Sequence, residues 1–322
     1  MAFKVLLLRG ARHETSIIDR LKSGAEALGL GIDVHVAHTE EEVADSIESF
    51  DAAFGYLSPE LISRASRLRW VSCPQAGPNP SFYHQALIDS QAVVTNVRGI
   101  FSDHISAHIM SFVLAFSRGL HLYLARQRER QWEPGARTLY LPETRAVVVG
   151  LGGIGAETAK RCADFSMEVV GVDARVTDPP SGVSLVVGPE RMLEVVADAD
   201  FVIVTVPETP ATQGLFNRTV FDAMREEAFF INIGRGATVV LDDLNAALRR
   251  GDIAGAALDV FETEPLPSEH PLWDAPGMMI TPHVATVGPY LDDRRVNLFV
   301  ENCKRFAAGE PLVNVVDKAN WF

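Results

Sequence analysis

Gly150-Leu151-Gly152-Gly153-Ile154-Gly155 is the stretch that decides the fold of this 322-residue chain. It follows a β-branched run, Ala146-Val-Val-Val149, and opens onto a helix-forming segment, Ala156-Glu-Thr-Ala-Lys-Arg161. A glycine-rich turn between strand and helix lets the backbone approach a pyrophosphate and sets the phosphate charge at a helix N-terminus. Such a pattern alone is weak, but Asp173 stands 18 residues past Gly155, at the end of a second apolar run, Glu168–Val172. There a carboxylate accepts hydrogen bonds from the adenosine ribose hydroxyls and repels a 2′-phosphate. Gly150, Gly152, Gly153, Ile154, Gly155 and Asp173 are therefore the expected contacts for NAD. Arg175, two residues past the acid, can pair with a 2′-phosphate and keeps NADP as the alternative. A glycine-rich β–α turn without a ligand is the plain structural alternative. No GxxxxGK[ST] pattern occurs, and none of the five tyrosines has a lysine four residues later.

Strand–helix alternation extends on both sides of this loop. Downstream, strands are expected at Arg145–Val149, Glu168–Val172, Phe201–Thr205, Ala228–Ile233, Ala254–Asp259 and Met278–Ile280, with helices at Gly153–Phe165 and Leu241–Arg250, the latter stopped by Gly251. Upstream, strands are expected at Lys4–Leu8, Asp33–Val36, Ala52–Tyr56, Leu68–Ser72 and Val93–Asn96, with helical spacing over Glu14–Leu28 and Glu41–Ser46. A long apolar helix is expected over Ser102–Leu120, a solvated charged segment over Ala125–Gln131 and a last helix over Asp292–Ala308. Strands separated by helices imply parallel sheets with right-handed crossovers. With about 145 residues ahead of the glycine loop, an α/β unit of its own must precede it.

Bulk composition narrows the function. Lys plus Arg total 29 against 42 Asp plus Glu, a formal charge of −13, which repels nucleic acid and anionic membrane. Val5–Leu8 is too short for a signal-peptide core, and no apolar run approaches a membrane span. Cys73, Cys162 and Cys303 are odd in number and far apart, offering neither a disulfide framework nor a metal spacing, and a reducing cytoplasm is the expected compartment.

Three polar segments fall just past consecutive strands: Asn232-Ile-Gly-Arg235-Gly236, Asp259-Val-Phe-Glu-Thr-Glu264-Pro265 and Thr281-Pro-His283. In an open parallel sheet the carboxyl ends of neighbouring strands face one crevice, so these residues can converge. Reduction of a 2-keto acid needs a cation for the carboxylate and carbonyl oxygen, a proton donor for the developing alkoxide, and a hydride. Arg235, His283 and a nicotinamide fit those parts, with Glu264 favouring the protonated imidazole and fixing its ring. Each residue also has a plainer reading: a turn arginine, a loop acid before Pro265, a structural histidine.

The ordered motifs Asn96-Val-Arg-Gly99, Gly150–Gly155, Val206-Pro-Glu-Thr209, Ile231–Gly236, Leu258–Pro267, Pro271-Leu-Trp273, Thr281-Pro-His283 and Gly309-Glu-Pro-Leu312 closely resemble those of the D-isomer-specific 2-hydroxyacid dehydrogenase family. The resemblance runs from about Leu68 to the C-terminus. It implies an NAD-dependent oxidoreductase acting on a small 2-keto or 2-hydroxy acid, with Arg235 binding substrate and Glu264 supporting His283 as acid/base. It implies that Asp259 and the backbone around Ile233 receive the nicotinamide carboxamide, that Val206 and Pro207 flank the adenosine, and that Ile105 backs the nicotinamide ring. Ala76 and Gly77 occupy the place where family members offer backbone N–H groups to the substrate carboxylate. The implied architecture is α/β with two doubly wound parallel-sheet domains. A Rossmann-type cofactor domain (99–285) is inserted into a flavodoxin-like substrate domain (1–98 plus 286–322), with the active site in the cleft between them. A homodimer through the cofactor domain is also implied, using the long helix and the arm that carries Trp132.

The chain departs from the family pattern in places. Pro78-Asn-Pro80 follows Gly77 where Val-Asp-Asn-Ile-Asp is usual, Phe101 and Ala107 stand at positions often polar and acidic, and His283 is followed by Val-Ala-Thr-Val-Gly-Pro-Tyr without paired glycines. The sequence stops at Phe322, so control by an appended domain is not expected. Phe82, Tyr83 and Tyr290 suit an apolar side-chain pocket or core packing. A phosphite-type oxyanion dehydrogenase and a non-enzymatic NADH-sensing corepressor of the same fold are the competing readings.

Overall fold

The computed structural model describes residues 3–9, 15–77 and 80–319. The chain runs β1 (Lys4–Leu8), α1 (Thr15–Glu26), β2 (Asp33–Ala37), β3 (Ala52–Phe54), α2 (Pro59–Arg64), β4 (Trp70–Ser72), α3 (Gln85–Asp89) and β5 (Val93–Thr95). Then come α4 (Ser102–Ser117), α5 (Leu120–Arg128), β6 (Arg145–Val149), α6 (Gly153–Asp164), β7 (Glu168–Val172), β8 (Leu185–Val187), α7 (Met192–Val196), β9 (Phe201–Val204), α8 (Arg218–Ala223) and β10 (Phe229–Asn232). The last elements are α9 (Leu241–Arg250), β11 (Gly255–Leu258), β12 (Met278–Ile280), α10 (Leu291–Ala308) and β13 (Val315–Val316). These elements divide into two compact units, Met1–Ile100 with Gly288–Phe322, and Phe101–Val287.

In the first unit the described strands form one sheet in the order β13-β5-β4-β3-β1-β2. All neighbours are parallel except the β13–β5 pair, where Val315 and Val316 return antiparallel on Thr95 and Val94. Leaving β13 aside, that is the flavodoxin-like order, wound outward in both directions from β1 and β3. Each face buries its own apolar cluster. Leu6, Val71, Leu87 and Val94 lie on one side; Val5, Leu7, Phe54, Trp70 and Phe299 lie on the other, under α1 and α10. Buried Trp70 stacks on Phe299 at 5.5 Å and donates its Nε1–H to Thr95 Oγ1 at 2.9 Å, so the indole keeps its hydrogen bond inside the core.

In the second unit the described strands form a fully parallel sheet, β12-β11-β10-β9-β6-β7-β8. Strand order reverses between β6 and β9, which places a topological switch point beyond the carboxyl ends of those strands. β6, β9, β10 and β11 are buried on nearly every residue, as a sheet covered on both faces requires. α9 carries Asp242 and Asp243 in its first turn and Arg249 and Arg250 in its last, matching the helix dipole, and ends at Gly251 in the left-handed conformation.

The structure differs from the sequence expectation in places. Residues 41–46 are turns, because Val43 and Ile47 supply one buried helical repeat over a stretch too short to nucleate a helix. The expected long helix stops at Ser117, and the chain turns through Gly119 into α5, bent by 73° from α4. Among the described residues no single helix is long and apolar enough to cross a membrane.

Candidate active site

The glycine loop joins β6 to α6. A Cβ on Gly155 would overlap the Gly150 carbonyl oxygen, so the first turn of α6 can sit this close to the strand only with glycine there. Thr205 Oγ1 donates to that same carbonyl at 2.8 Å and pins the loop to the end of β9. Gly152 is exposed and has no heavy atom within 4 Å of a would-be Cβ, which leaves the N-terminus of α6 open to a phosphate. Asp173, at the end of β7, accepts N–H groups from Leu151 (2.7 Å), Arg175 (2.8 Å) and Val176 (2.9 Å). Burial alone would raise its carboxyl, but those donors and the Arg175 charge together hold it below the usual carboxylate range. Asp173 is thus a fixed anion beside the loop, which fits an adenosine ribose and opposes a further phosphate on it.

Arg235, Glu264 and His283 lie on the loops that follow β10, β11 and β12, three adjacent strands. The Arg235 turn is held by Asn232, whose Nδ2 donates to the Arg235 carbonyl at 3.1 Å and whose Oδ1 accepts Gly234 N–H at 2.9 Å. Thr238 Oγ1 donates to the same Arg235 carbonyl at 2.7 Å. A Cβ on Gly236 would overlap the Phe261 carbonyl carbon, so the Arg235 turn can rest directly against the chain that leads to Glu264. Half-buried, Arg235 is drawn below its ordinary pKa by desolvation, against the charges of Glu208 and Glu264. It stays a cation, since guanidinium begins far above neutrality.

Glu264 Oε1 accepts Phe261 N–H at 3.0 Å, which aims Oε2 at His283 Nδ1, 2.8 Å away. The imidazole is 42% exposed with Nδ1 engaged, leaving Nε2 as its chemically available nitrogen. His283 has φ +54, a left-handed conformation that costs a non-glycine residue about 1–3 kcal/mol and must be held by its surroundings. Asp259 provides the hold: Oδ1 accepts Thr281 Oγ1 at 2.5 Å and Val284 N–H at 2.9 Å, and Oδ2 accepts Ala285 N–H at 2.9 Å. Asp259 is fully buried, so its carboxylate serves the loop on both sides of His283.

Of the other expected residues, Ile105 is buried on α4 and Ile233 is buried after β10. Val206 is half-buried, within reach of Gly150, and Pro207 is exposed. Arg175 is exposed. Ala76 and Gly77 lie in the first unit, where Asn96 Nδ2 donates to the Ala76 carbonyl at 2.9 Å. Pro78 and Asn79 lie outside the described residues. Phe82 and Tyr83 are buried in the first unit's core, whereas Tyr290 is exposed with φ +66. Sequence reasoning gave no role to Asn232, Thr238, Asn96, Glu208 or His108. Glu208 belongs to the Val206–Thr209 motif, but its influence on Arg235 depends on a distance that only the fold sets.

The sequence profile of the NAD binding domain of D-isomer specific 2-hydroxyacid dehydrogenase matches residues 110–285. Glyoxylate/hydroxypyruvate reductase A of Yersinia enterocolitica is 33% identical over 210 residues, covering 65% of this chain and 66% of that protein. The structure of a D-isomer specific 2-hydroxyacid dehydrogenase from Xanthobacter autotrophicus, in complex with NADPH and MES, superposes with a TM-score of 0.87 at 31% identity, covering 99% of this chain and all of that one. That of the NADPH-dependent glyoxylate/hydroxypyruvate reductase from Sinorhizobium meliloti, in complex with NADP and sulfate, gives 0.83 at 26% identity, covering 99% of this chain and 100% of that one. The chain belongs to the D-isomer specific 2-hydroxyacid dehydrogenase family, whose members are NAD(P)-dependent oxidoreductases.

Proposed function

We propose that this chain reduces small 2-keto acids of the glyoxylate and hydroxypyruvate type to 2-hydroxy acids of the D series. The observation that carries the reading is the Glu264–His283 pair, 2.8 Å apart beside the Arg235 turn, at the carboxyl edge of a sheet that also bears the glycine loop. Bound NAD(P)H supplies the hydride. Arg235 holds the substrate's carboxylate and polarises its carbonyl oxygen. His283, with Nδ1–H turned to Glu264, delivers a proton from Nε2 to the forming alkoxide and takes it back in the oxidative direction. The Glu264 carboxylate, bonded at Nδ1, fixes the ring in the orientation this transfer needs.

Further assignments belong to the same reading. Gly150, Gly152, Gly153, Ile154 and Gly155 take the pyrophosphate, and Asp173 the adenosine ribose. Val206 and Pro207 flank the adenosine, while Ile105, Ile233 and Asp259 serve the nicotinamide. Ala76 and Gly77 bind the substrate carboxylate. Residues 1–98 with 286–322 act as the substrate domain and 99–285 as the cofactor domain. NAD is the preferred dinucleotide because Asp173 is a fixed anion where a 2′-phosphate would lie. NADPH is a second reading, favoured by the exposed guanidinium of Arg175. Three buried free cysteines suit a reducing cytoplasm. A homodimer through the second unit is supported by the exposed Leu120, Leu122, Leu124 and Trp132.

A panel of 2-keto acids assayed with NADH and NADPH in parallel tests the reading. Turnover of glyoxylate or hydroxypyruvate is expected, and His283→Ala should lower kcat by about 10²–10⁴-fold, the usual worth of a positioned acid/base. Dinucleotide binding, followed by nicotinamide fluorescence, should survive. Arg235→Ala should raise KM for the keto acid by about 10- to 100-fold, as expected for losing charged hydrogen bonds. Near-wild-type turnover by His283→Ala overturns the assignment. Tight dinucleotide binding without turnover on the whole panel points instead to a sensor of the same fold.

A further inference from the structure

His108 lies on α4, far in sequence from the loops around Arg235, Glu264 and His283, and nothing above gives it a task. Its Nε2 stands 3.1 Å from Thr281 Oγ1 and 3.7 Å from Asp259 Oδ1. Thr281 has one hydroxyl proton, and at 2.5 Å from Asp259 Oδ1 that proton belongs to the carboxylate. The hydroxyl must then accept from its other neighbour, so His108 carries a proton on Nε2 and donates it to Thr281. A chain of donors results: His108 Nε2–H to Thr281 Oγ1, and Thr281 Oγ1–H to Asp259. Asp259 also receives the N–H groups of Val284 and Ala285.

This chain encloses the left-handed His283. Thr281 lies two residues before it and Val284 and Ala285 immediately after, and His283 N–H is itself bonded to the Thr281 carbonyl at 3.1 Å. The His108 ring is seated edge-on against Phe112, with centroids 4.9 Å apart, so its donor is fixed in direction by α4. We infer that His108 is a positioning residue for the proton-transfer step: through Thr281 and the buried Asp259 it ties the loop bearing His283 to α4 and holds the imidazole where Glu264 can reach it. The inference rests on the proposed role of His283. Its physical content is that the energy opposing relaxation of the strained turn comes in part from a helix outside the loop.

Two variants separate this role from mere packing. His108→Leu fills the space and keeps an apolar contact with Phe112 but removes the donor. His108→Gln places an amide N–H near the position of Nε2. In the full-length enzyme His108→Leu should lower kcat about 10-fold or more, since small misplacement of a reacting group can cost up to about 100-fold. KM for the keto acid and the dinucleotide Kd should change little, and His108→Gln should restore most of kcat. Independently of turnover, hydrogen exchange at the amides of Val284 and Ala285 should quicken in His108→Leu and return to the wild-type rate in His108→Gln. Unchanged exchange in His108→Leu, or equal kcat losses in both variants, overturns the inference while leaving the keto-acid reading intact. If the wild-type protein turns over no keto acid, that reading falls, and the exchange comparison alone still decides whether His108 holds the loop.

Discussion

Asp51 shows how a single side chain couples the first unit to pH. It is 5% exposed, immediately before β3, accepts Lys4 N–H at 3.0 Å, and faces Arg67 at 3.0 Å and Arg69 at 3.6 Å. Burial pushes its carboxyl up, but the Lys4 amide and the two guanidinium groups outweigh this and hold it below its ordinary value of 3.8. A depressed folded-state pKa means stability that is fully present above the unfolded value and lost as pH falls through the folded one. Asp51→Asn should therefore destabilise the protein by about 1–3 kcal/mol at pH 7, the usual cost of spoiling a buried charged hydrogen bond. The gap from wild type should narrow in urea titrations repeated near pH 3. A gap independent of pH would assign the cost to packing. At the same scale, Asn232 and Gly236 show that the Arg235 turn is set by its neighbours: one threads hydrogen bonds through it, the other yields room to the Phe261 backbone.

Among elements, α4 is buried along its length, and its C-terminal end is anchored on the sheet by an aromatic stack. Phe116 stacks on Phe229 of β10 at 4.3 Å, and Phe229 stacks on Phe201 of β9 at 5.6 Å, all three buried. Phe116→Ala should cost about 3–5 kcal/mol through the cavity left behind, measured by equilibrium denaturation. A loss below 1 kcal/mol would show that the stack relaxes around the gap. Elements whose signals are local are legible in the sequence: Arg145–Val149, Glu168–Val172 and Met278–Ile280 as apolar runs, and Leu241–Arg250 from its period and glycine stop. Those set by tertiary context are not. β8 is three residues long and half exposed, and α7 and α8 are five and six residues. The convergence of the loops after β10, β11 and β12 is legible because sheet order follows chain order there. The links through Asn232, Thr238 and His108 are not legible, since they join residue types that are common everywhere and meet only in three dimensions.

At the level of the whole molecule, the two compact units have separate cores, so ligand binding should leave a local mark first. At about 100 times Kd, a dinucleotide adds about 2.7 kcal/mol to the structure that binds it. Hydrogen exchange should slow across β6, α6 and β9 on addition of NADH, and an unchanged pattern there would remove the glycine loop from the binding site. The first unit carries one more consequence. Its sheet is closed by β13, its second core lies under α10, and Lys318 Nζ clasps the carbonyls of Leu87 (3.1 Å), Ser90 (2.7 Å) and Ala92 (3.0 Å). All three contributions follow the second unit in the chain. On a ribosome adding roughly 5–20 residues per second, the opening hundred residues must wait about 10–40 s with an unfinished core while the whole second unit is made. Of the two units, the one begun earlier in this sequence is therefore the last to be completed, and its apolar faces stay uncovered for longer during synthesis.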